Sequence, residues 1–367
     1  MATSSTSKTN EGQITDQMNE EELDYLYTYQ LINSCVLPMV MKVTIETGVL
    51  QLINDQAGLD GLSPAEIATR VQILNPNAPA MLDRMLCLLA TYDVIGCTVV
   101  DTADGVERRY SPSRVTKFLV PDNDGVSLGP LLNLFVDKIF IESWSKLKEA
   151  VVEGGIPFNM AHGVHAFEYP SLDARFNEVF NKAMYQSTTF TIKKILDKYK
   201  GFEGIETLVD VGGGLGHTLR VIISQYPSIK AITFDLPHVI ENALPFPGVE
   251  HVCGDMFESI PKGDVIFMKW VLHDWSDEHC LKLLKNCFKA LPENGKVIAV
   301  EGIMVDKPDT TVSAKVISQR DLLMMTQNPG GKERSKHEFE ALAKAAGFAT
   351  INFVCCVYNL WVMEFYK

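Results

Sequence analysis

The chain has 367 residues, 46% hydrophobic and 22% charged, enough for two domains and a substantial core. Its formal net charge is −13 with no basic stripe, which weighs against an enzyme acting on RNA or DNA, because backbone binding needs clustered Lys and Arg. The eight cysteines show no C-x-x-C spacing and lie mostly in apolar runs, so they read as buried free thiols in a reducing compartment; with no signal-peptide core and no membrane-spanning run, a cytosolic protein is expected.

Residues 1 to about 20 are polar and read as a disordered tail. Leu23 to Leu52 reads as a largely apolar helical region broken near Pro38. Ser63 and Pro64 open a further helix as cap and first position. From Ala78 to Ile95, Met81, Leu82, Met85, Leu86 and Leu89 form a helical stripe, followed by strand-like pieces around Thr98 and Arg109. Helices followed by a β-wing are the order of a winged helix. In a DNA-binding winged helix the third helix is a basic reader; here it offers only Arg84 beside Asp83, so packing is the better reading. Gly125 to Tyr199 is expected to be helical, with aromatic and sulfur-bearing side chains that suit a core or a pocket equally.

Thr207–His217, TLVDVGGGLGH, is the most informative stretch: a short buried strand ending in an acid, a glycine turn, then a helix. Glycine allows positive φ and lets a ligand approach the main chain. A dinucleotide G-x-G-x-x-G fails, because its last position falls on His217. The next strand ends at Asp235, about 20 residues beyond the turn, where a carboxylate accepts from ribose hydroxyls. A third strand leads to Asp255 and Met256, an acid and a thioether suited to an adenine edge and face, although Asp255 reads equally as a turn cap. Acids and glycine turns at successive strand ends place a ligand at the carboxyl edge of an open α/β sheet.

The strand ending near Lys269 leads to His273, just past its carboxyl end, where an imidazole projects into the cleft and titrates in a useful range. Ser276 is a helix cap, with Asp277 and Glu278 favoured by the dipole. The following strand brings Glu301 to the same edge, where a carboxylate orients an imidazole and stabilises its protonated form. Glu333, after the Asn328-Pro-Gly-Gly turn, reads equally as a first-turn acid.

LVDVGGGLG, FDLPHVIENA, GVEHVCGDMF, FMKWVLHDWSDEHCLKLLKNC, GKVIAVEGI and NPGGKER closely resemble plant S-adenosylmethionine-dependent small-molecule O-methyltransferases, the caffeic acid O-methyltransferase-like group, from about Tyr29 to Lys367. The resemblance implies an α/β fold: a doubly wound Rossmann-like sheet in a catalytic domain at 125–367, and a mostly helical, winged-helix-like dimerisation domain at 21–124. It implies a homodimer, S-adenosylmethionine as cofactor and no metal. Gly212, Gly214, Asp235 and Leu236 would hold the methionine and ribose portions, Asp255 and Met256 the adenine, Lys269 a hydrogen bond and Trp275 a stacking surface. His273 matches the general base, and Glu301 and Glu333 its flanking carboxylates. Asn33 lies where a partner residue reaches the acceptor pocket; Leu134, Phe135, Phe140, Ala166, Phe176, Phe180, Met184, Asp274, Leu323, Met324 and Asn328 fall at pocket positions.

The chain departs from the lignin-pathway enzymes. Phe135 replaces an asparagine, Pro170 and Ser187 replace histidines, and Arg320 replaces an aliphatic residue. Fewer donors then remain for a phenylpropanoid tail, which favours a flatter or more apolar phenol such as a coumarin, stilbene, flavonoid or benzylisoquinoline alkaloid. Caffeic acid or 5-hydroxyferulic acid as acceptor, N-methylation of a small amine, a nucleotide-dependent oxidoreductase and a non-catalytic winged-helix protein are the alternatives. The failed dinucleotide pattern opposes the oxidoreductase, and His273, Glu301 and Glu333 together oppose loss of catalysis.

Overall fold

A computed structural model describes residues 18–103 and 105–367. Residues 1–17 of the expected tail lie outside the described residues; Met18, Asn19 and Glu20 do not, and Asn19 and Glu22 form a capping box at the start of a helix. The chain divides into two compact units at the Val120–Pro121 junction.

The first unit starts with α1 (Glu20–Ile32), α2 (Val36–Glu46) and α3 (Val49–Gln56). The expected break near Pro38 falls instead at Asn33–Cys35, and a second one at Gly48, whose φ of 74° only glycine takes easily. Pro38 lies in the first turn of α2, where its missing N–H costs nothing. Helices α4 (Pro64–Arg70) and α5 (Ala78–Thr91) precede a hairpin of β1 (Ile95–Thr102) and β2 (Gly105–Pro112). On α5, Leu82, Leu86 and Leu89 are buried with Val49, Leu50 and Ile53 of α3, whereas Met81 faces out. Helix α5 ends at Thr91 rather than Ile95, which starts the hairpin. Asp83 accepts from the buried Tyr110 hydroxyl (2.7 Å) and pairs with Arg108 (2.7 Å), so the acid on this helix serves packing within the unit. Helix α1 buries no residue in the single chain, and Leu26, Ile32, Val36 and Val43 are exposed.

The second unit opens with helices α6 (Gly129–Phe135), α7 (Lys138–Trp144), α8 (Leu147–Glu153), α9 (Pro157–His162) and the long α10 (Ala174–Lys198). Then β3 (Thr207–Val211), β4 (Lys230–Asp235), β5 (Val249–Cys253), β6 (Val265–Lys269) and β7 (Lys296–Glu301) alternate with helices including α11 (His217–Gln225), α12 (Pro237–Ile240) and α13 (Asp277–Ala290). After α14 (Val312–Gln327) and α15 (Lys336–Ala346), β8 (Thr350–Val357) and β9 (Leu360–Tyr366) complete a seven-stranded sheet in the order β5-β4-β3-β6-β7-β9-β8. Strand β9 is antiparallel to both neighbours; the other pairings are parallel. Strands β3, β6 and β7 are buried along nearly their whole length, as a sheet covered by helices on both faces requires. Strand order reverses between β3 and β6, which opens a crevice at their carboxyl ends.

The β8–β9 pair has no counterpart in the reading of the sequence, and the expectation of buried thiols needs correction. Of the cysteines, only Cys280 and Cys287 are buried; Cys35, Cys97 and Cys253 are exposed and the others half-buried, all of them free. Among the described residues no single helix is long and apolar enough to cross a membrane.

Candidate active site

A cavity of about 930 Å³ opens at the carboxyl edge of the parallel strands, within the second unit. At one end Gly212, Gly214 and Gly216, all at positive φ, carry the chain from β3 into α11. The Gly214 N–H donates to Asp235 Oδ2 (2.8 Å) and the Leu236 N–H to Asp235 Oδ1 (2.7 Å), which fixes the carboxylate at the end of β4. A Cβ at Gly213 would come within 2.8 Å of Asp210 Oδ2, so the turn closes tightly over that acid. Asp210 is buried and its Oδ2 has no partner; burial, with the nearby Asp235 charge, pushes it up to about 8. A buried acid in that condition suits a cationic or hydrogen-donating ligand.

Further along, Asp255 Oδ1 accepts from the Phe257 N–H (2.8 Å), so Asp255 does cap its turn while still lining the cavity. Met256 lines it too, held by Asn286 Nδ2 on its carbonyl (3.0 Å). Trp275 is stacked within 6° on His165 at 5.9 Å. Lys269 Nζ donates to Thr188 Oγ1 (3.1 Å) and lies 3.5 Å above the Trp270 ring; burial pulls it down to about 7.

His273 also lines the cavity, buried in a single 3-10 turn, Leu272–Asp274, between β6 and α13. Its Nδ1 lies 2.9 Å from Glu333 Oε1. A carboxylate only accepts, so Nδ1 carries the hydrogen and the neutral ring keeps its lone pair on Nε2. Nε2 lies 3.5 Å from Asp274 Oδ1, which in turn accepts from Asn328 Nδ2 (2.7 Å). Burial pulls the imidazole down, but Asp274, Glu301 and Glu333 outweigh it and push His273 up to about 9.

Glu301 acts differently from expectation. Its Oε1 accepts the Val271 and Leu272 N–H groups (2.9 and 2.8 Å), so it orients the backbone that carries His273 and reaches the imidazole only through its charge. Neither Glu301 nor Glu333 lines the cavity; both stand behind His273.

Sequence reasoning missed two residues. Arg334, fully buried, donates to the carbonyls of Leu272 (2.6 Å) and Trp275 (2.7 Å) and to Asp277 Oδ1 (2.8 Å), clamping the His273 turn onto the start of α13. Trp270, at φ 55°, lays its ring on His273 at 6.1 Å and 21°. The sequence carried no signal for it: a left-handed backbone is unfavoured for tryptophan and no glycine marks the bend.

Leu134, Phe135, Phe140, Ala166, Phe180, Met184, Leu323, Met324, Asn328 and Asp274 line the cavity as expected, and so does Pro170. Phe176 does not: fully buried, it packs behind the wall against Phe140 and Tyr169. Ser187 is also buried outside the lining, its hydroxyl spent on the Met184 carbonyl (3.3 Å). Asn177 and Asn181 do line it, one donating to the other (2.8 Å), so the wall is less poor in donors than the substitutions alone imply. Asn33 belongs to the first unit, where its Nδ2 donates to the Tyr29 carbonyl (2.9 Å).

Residues 144–349 match the O-methyltransferase domain family, and residues 29–122 the O-methyltransferase dimerisation domain. Over 350 residues the chain is 67% identical to O-methyltransferase 16 of Lophophora williamsii, covering 95% of this chain and 94% of that one. It is 55% identical over 349 residues to a caffeic acid 3-O-methyltransferase of Catharanthus roseus, covering 95% and 96%. Among solved structures, human N-acetylserotonin methyltransferase in complex with SAM superposes with a TM-score of 0.79 at 19% identity, covering 96% of this chain and 99% of that one, a likeness of fold.

Proposed function

The chain belongs to the plant S-adenosylmethionine-dependent O-methyltransferases of the caffeic acid O-methyltransferase-like group, and we propose that it methylates a phenolic hydroxyl of a plant specialised metabolite with His273 as general base. What carries this reading is the His273 imidazole, which lines the same cavity as the glycine turn and Asp235 and has its Nδ1 on Glu333. When bound, S-adenosylmethionine supplies a methyl group already activated by its sulfonium. Asp235 would hold the ribose, Asp210 and the turn of Gly212 and Gly214 the methionine end, and Asp255 and Met256 the adenine.

His273 Nε2 takes the proton from the acceptor hydroxyl. A free phenol has a pKa near 10, still above the imidazole raised to about 9, so a preformed phenolate is disfavoured and proton removal accompanies methyl transfer. The charge that develops on the ring is met by Glu333 and Asp274, while Glu301 holds the turn in place. Phe135, Phe140 and Phe180 shape an apolar slot, and Pro170 takes a position with no donor to offer, which favours a compact apolar phenol such as a coumarin, stilbene, flavonoid or benzylisoquinoline alkaloid over caffeic acid. A homodimer formed through the first unit completes the proposal, supported by the match to a dimerisation domain and by a first helix that buries nothing alone.

His273→Gln keeps cofactor affinity, read by calorimetry, and lowers turnover of a phenol about 100- to 10,000-fold, the usual reach of general-base catalysis. Equal turnover in the variant removes His273 from the mechanism.

A further inference from the structure

Arg320, on α14, lines the acceptor cavity, and its side chain is 14% exposed. Its Nε donates to Glu333 Oε1 at 2.6 Å, the same oxygen that accepts from His273 Nδ1 at 2.9 Å. Space for the guanidinium is built into the backbone. A Cβ at Gly302 would fall 1.8 Å from Arg320 Nη2 and 2.7 Å from Glu333 Oε2, so any larger residue after Glu301 would displace the guanidinium from this arrangement. The guanidinium also lies 5.8 Å from the centroid of Trp270, whose ring stacks on His273.

We propose that Arg320 is a positioning residue that divides the charge of Glu333 between a permanent cation and His273, and so opposes retention of the proton on the base. The proposal rests on the reading of His273 as the base. Three carboxyls face that imidazole: Glu333 on Nδ1, Asp274 at 3.5 Å from Nε2, and Glu301 through the backbone of Val271 and Leu272. Lys269 at the end of β6, Arg334 on the Leu272 carbonyl with its partner Asp277, and Asp321, which accepts the Glu333 N–H, are also packed around the turn and its acid. Left to the three acids, the ring would keep a proton on Nε2 at working pH and have no lone pair there for the acceptor's proton. A guanidinium cannot deprotonate, so Arg320 neutralises Glu333 at every working pH while leaving its carboxylate able to orient Nδ1. It keeps the tautomer and weakens the charge that would otherwise fix the proton.

The test is the titration of His273 in the full chain, followed by NMR of histidine labelled at the ring carbon, with His273→Gln used to assign the signal. Arg320→Met and Arg320→Gln raise the His273 midpoint by about one pH unit, the low end for loss of a nearby charge; the glutamine variant keeps a donor to Glu333 and separates charge from hydrogen bond. Arg320→Lys restores most of the shift. The acidic limb of kcat/KM for a phenol moves up by the same amount. An unmoved midpoint in both neutral variants overturns the proposal, even if their melting temperatures fall. Failure of the underlying reading shows separately, as unchanged turnover in His273→Gln, while the titration still reports on Arg320.

Discussion

At Asp235 both carboxylate oxygens are already engaged by backbone N–H groups, from Gly214 and Leu236, so the side chain is set before any ligand arrives. Removing it would take away the proposed ribose partner and also the acceptor of the Gly214 N–H in the glycine turn. Asp235→Ala should weaken S-adenosylmethionine binding by about 1.5–3 kcal/mol, the range for a hydrogen bond to a charged group. Equal affinity by calorimetry would mean that the ribose sits elsewhere. In the proposed mechanism His273 sets the pH dependence. Because its pKa is raised to about 9, the ring is protonated below that value and cannot accept a proton. Turnover of a phenol should therefore climb with pH as the imidazole loses its proton and level off above the His273 midpoint; a profile flat from neutral pH to 9 contradicts a base with this environment.

The element that matters most is the short turn carrying His273, and it is held from outside. Glu301 grips its N–H groups and Arg334 its carbonyls, each from another part of the chain. Arg334→Leu leaves the Leu272 and Trp275 carbonyls without those donors and should destabilise the protein by about 2–4 kcal/mol, as loss of a buried hydrogen-bond network does. Thermal unfolding reads this directly, and a melting temperature equal to that of the unaltered chain would show the clamp to be unimportant. Strands β3 to β7 were legible in the sequence as short apolar runs, and their polar residues at the carboxyl ends pointed to Asp235, His273 and Glu301. Strands β8 and β9 were not. Their connection, Tyr358–Asn359, takes positive φ at both residues without a glycine, and the register shifts between Phe353 and Cys355, so neither the turn nor the alternation stands out. Arg334 escaped for a different reason, and Arg320 was visible only as a departure without a role: each is defined by partners that only the fold brings near, whereas His273 is defined by its place after a strand.

At the scale of the molecule, the exposed Leu26, Ile32, Val36 and Val43 of α1 and α2 and the match to a dimerisation domain support the proposed homodimer. Deleting residues 1–17 should leave that dimer intact, since the capping box at Asn19 and Glu22 remains. Deleting 1–60 removes α1 to α3, including the buried Val49, Leu50 and Ile53, and should yield insoluble or inactive protein. An active monomer by sedimentation at micromolar concentration would defeat the dimer. The acceptor is the claim on which everything else converges. The full-length protein is incubated with S-adenosylmethionine and a panel of compact phenols, caffeic acid and small amines, and the products are scored by mass and by kcat/KM. The account predicts a singly methylated phenol as the best product, with a compact apolar phenol ahead of caffeic acid; methylation confined to amines, or caffeic acid as the best acceptor, would contradict it.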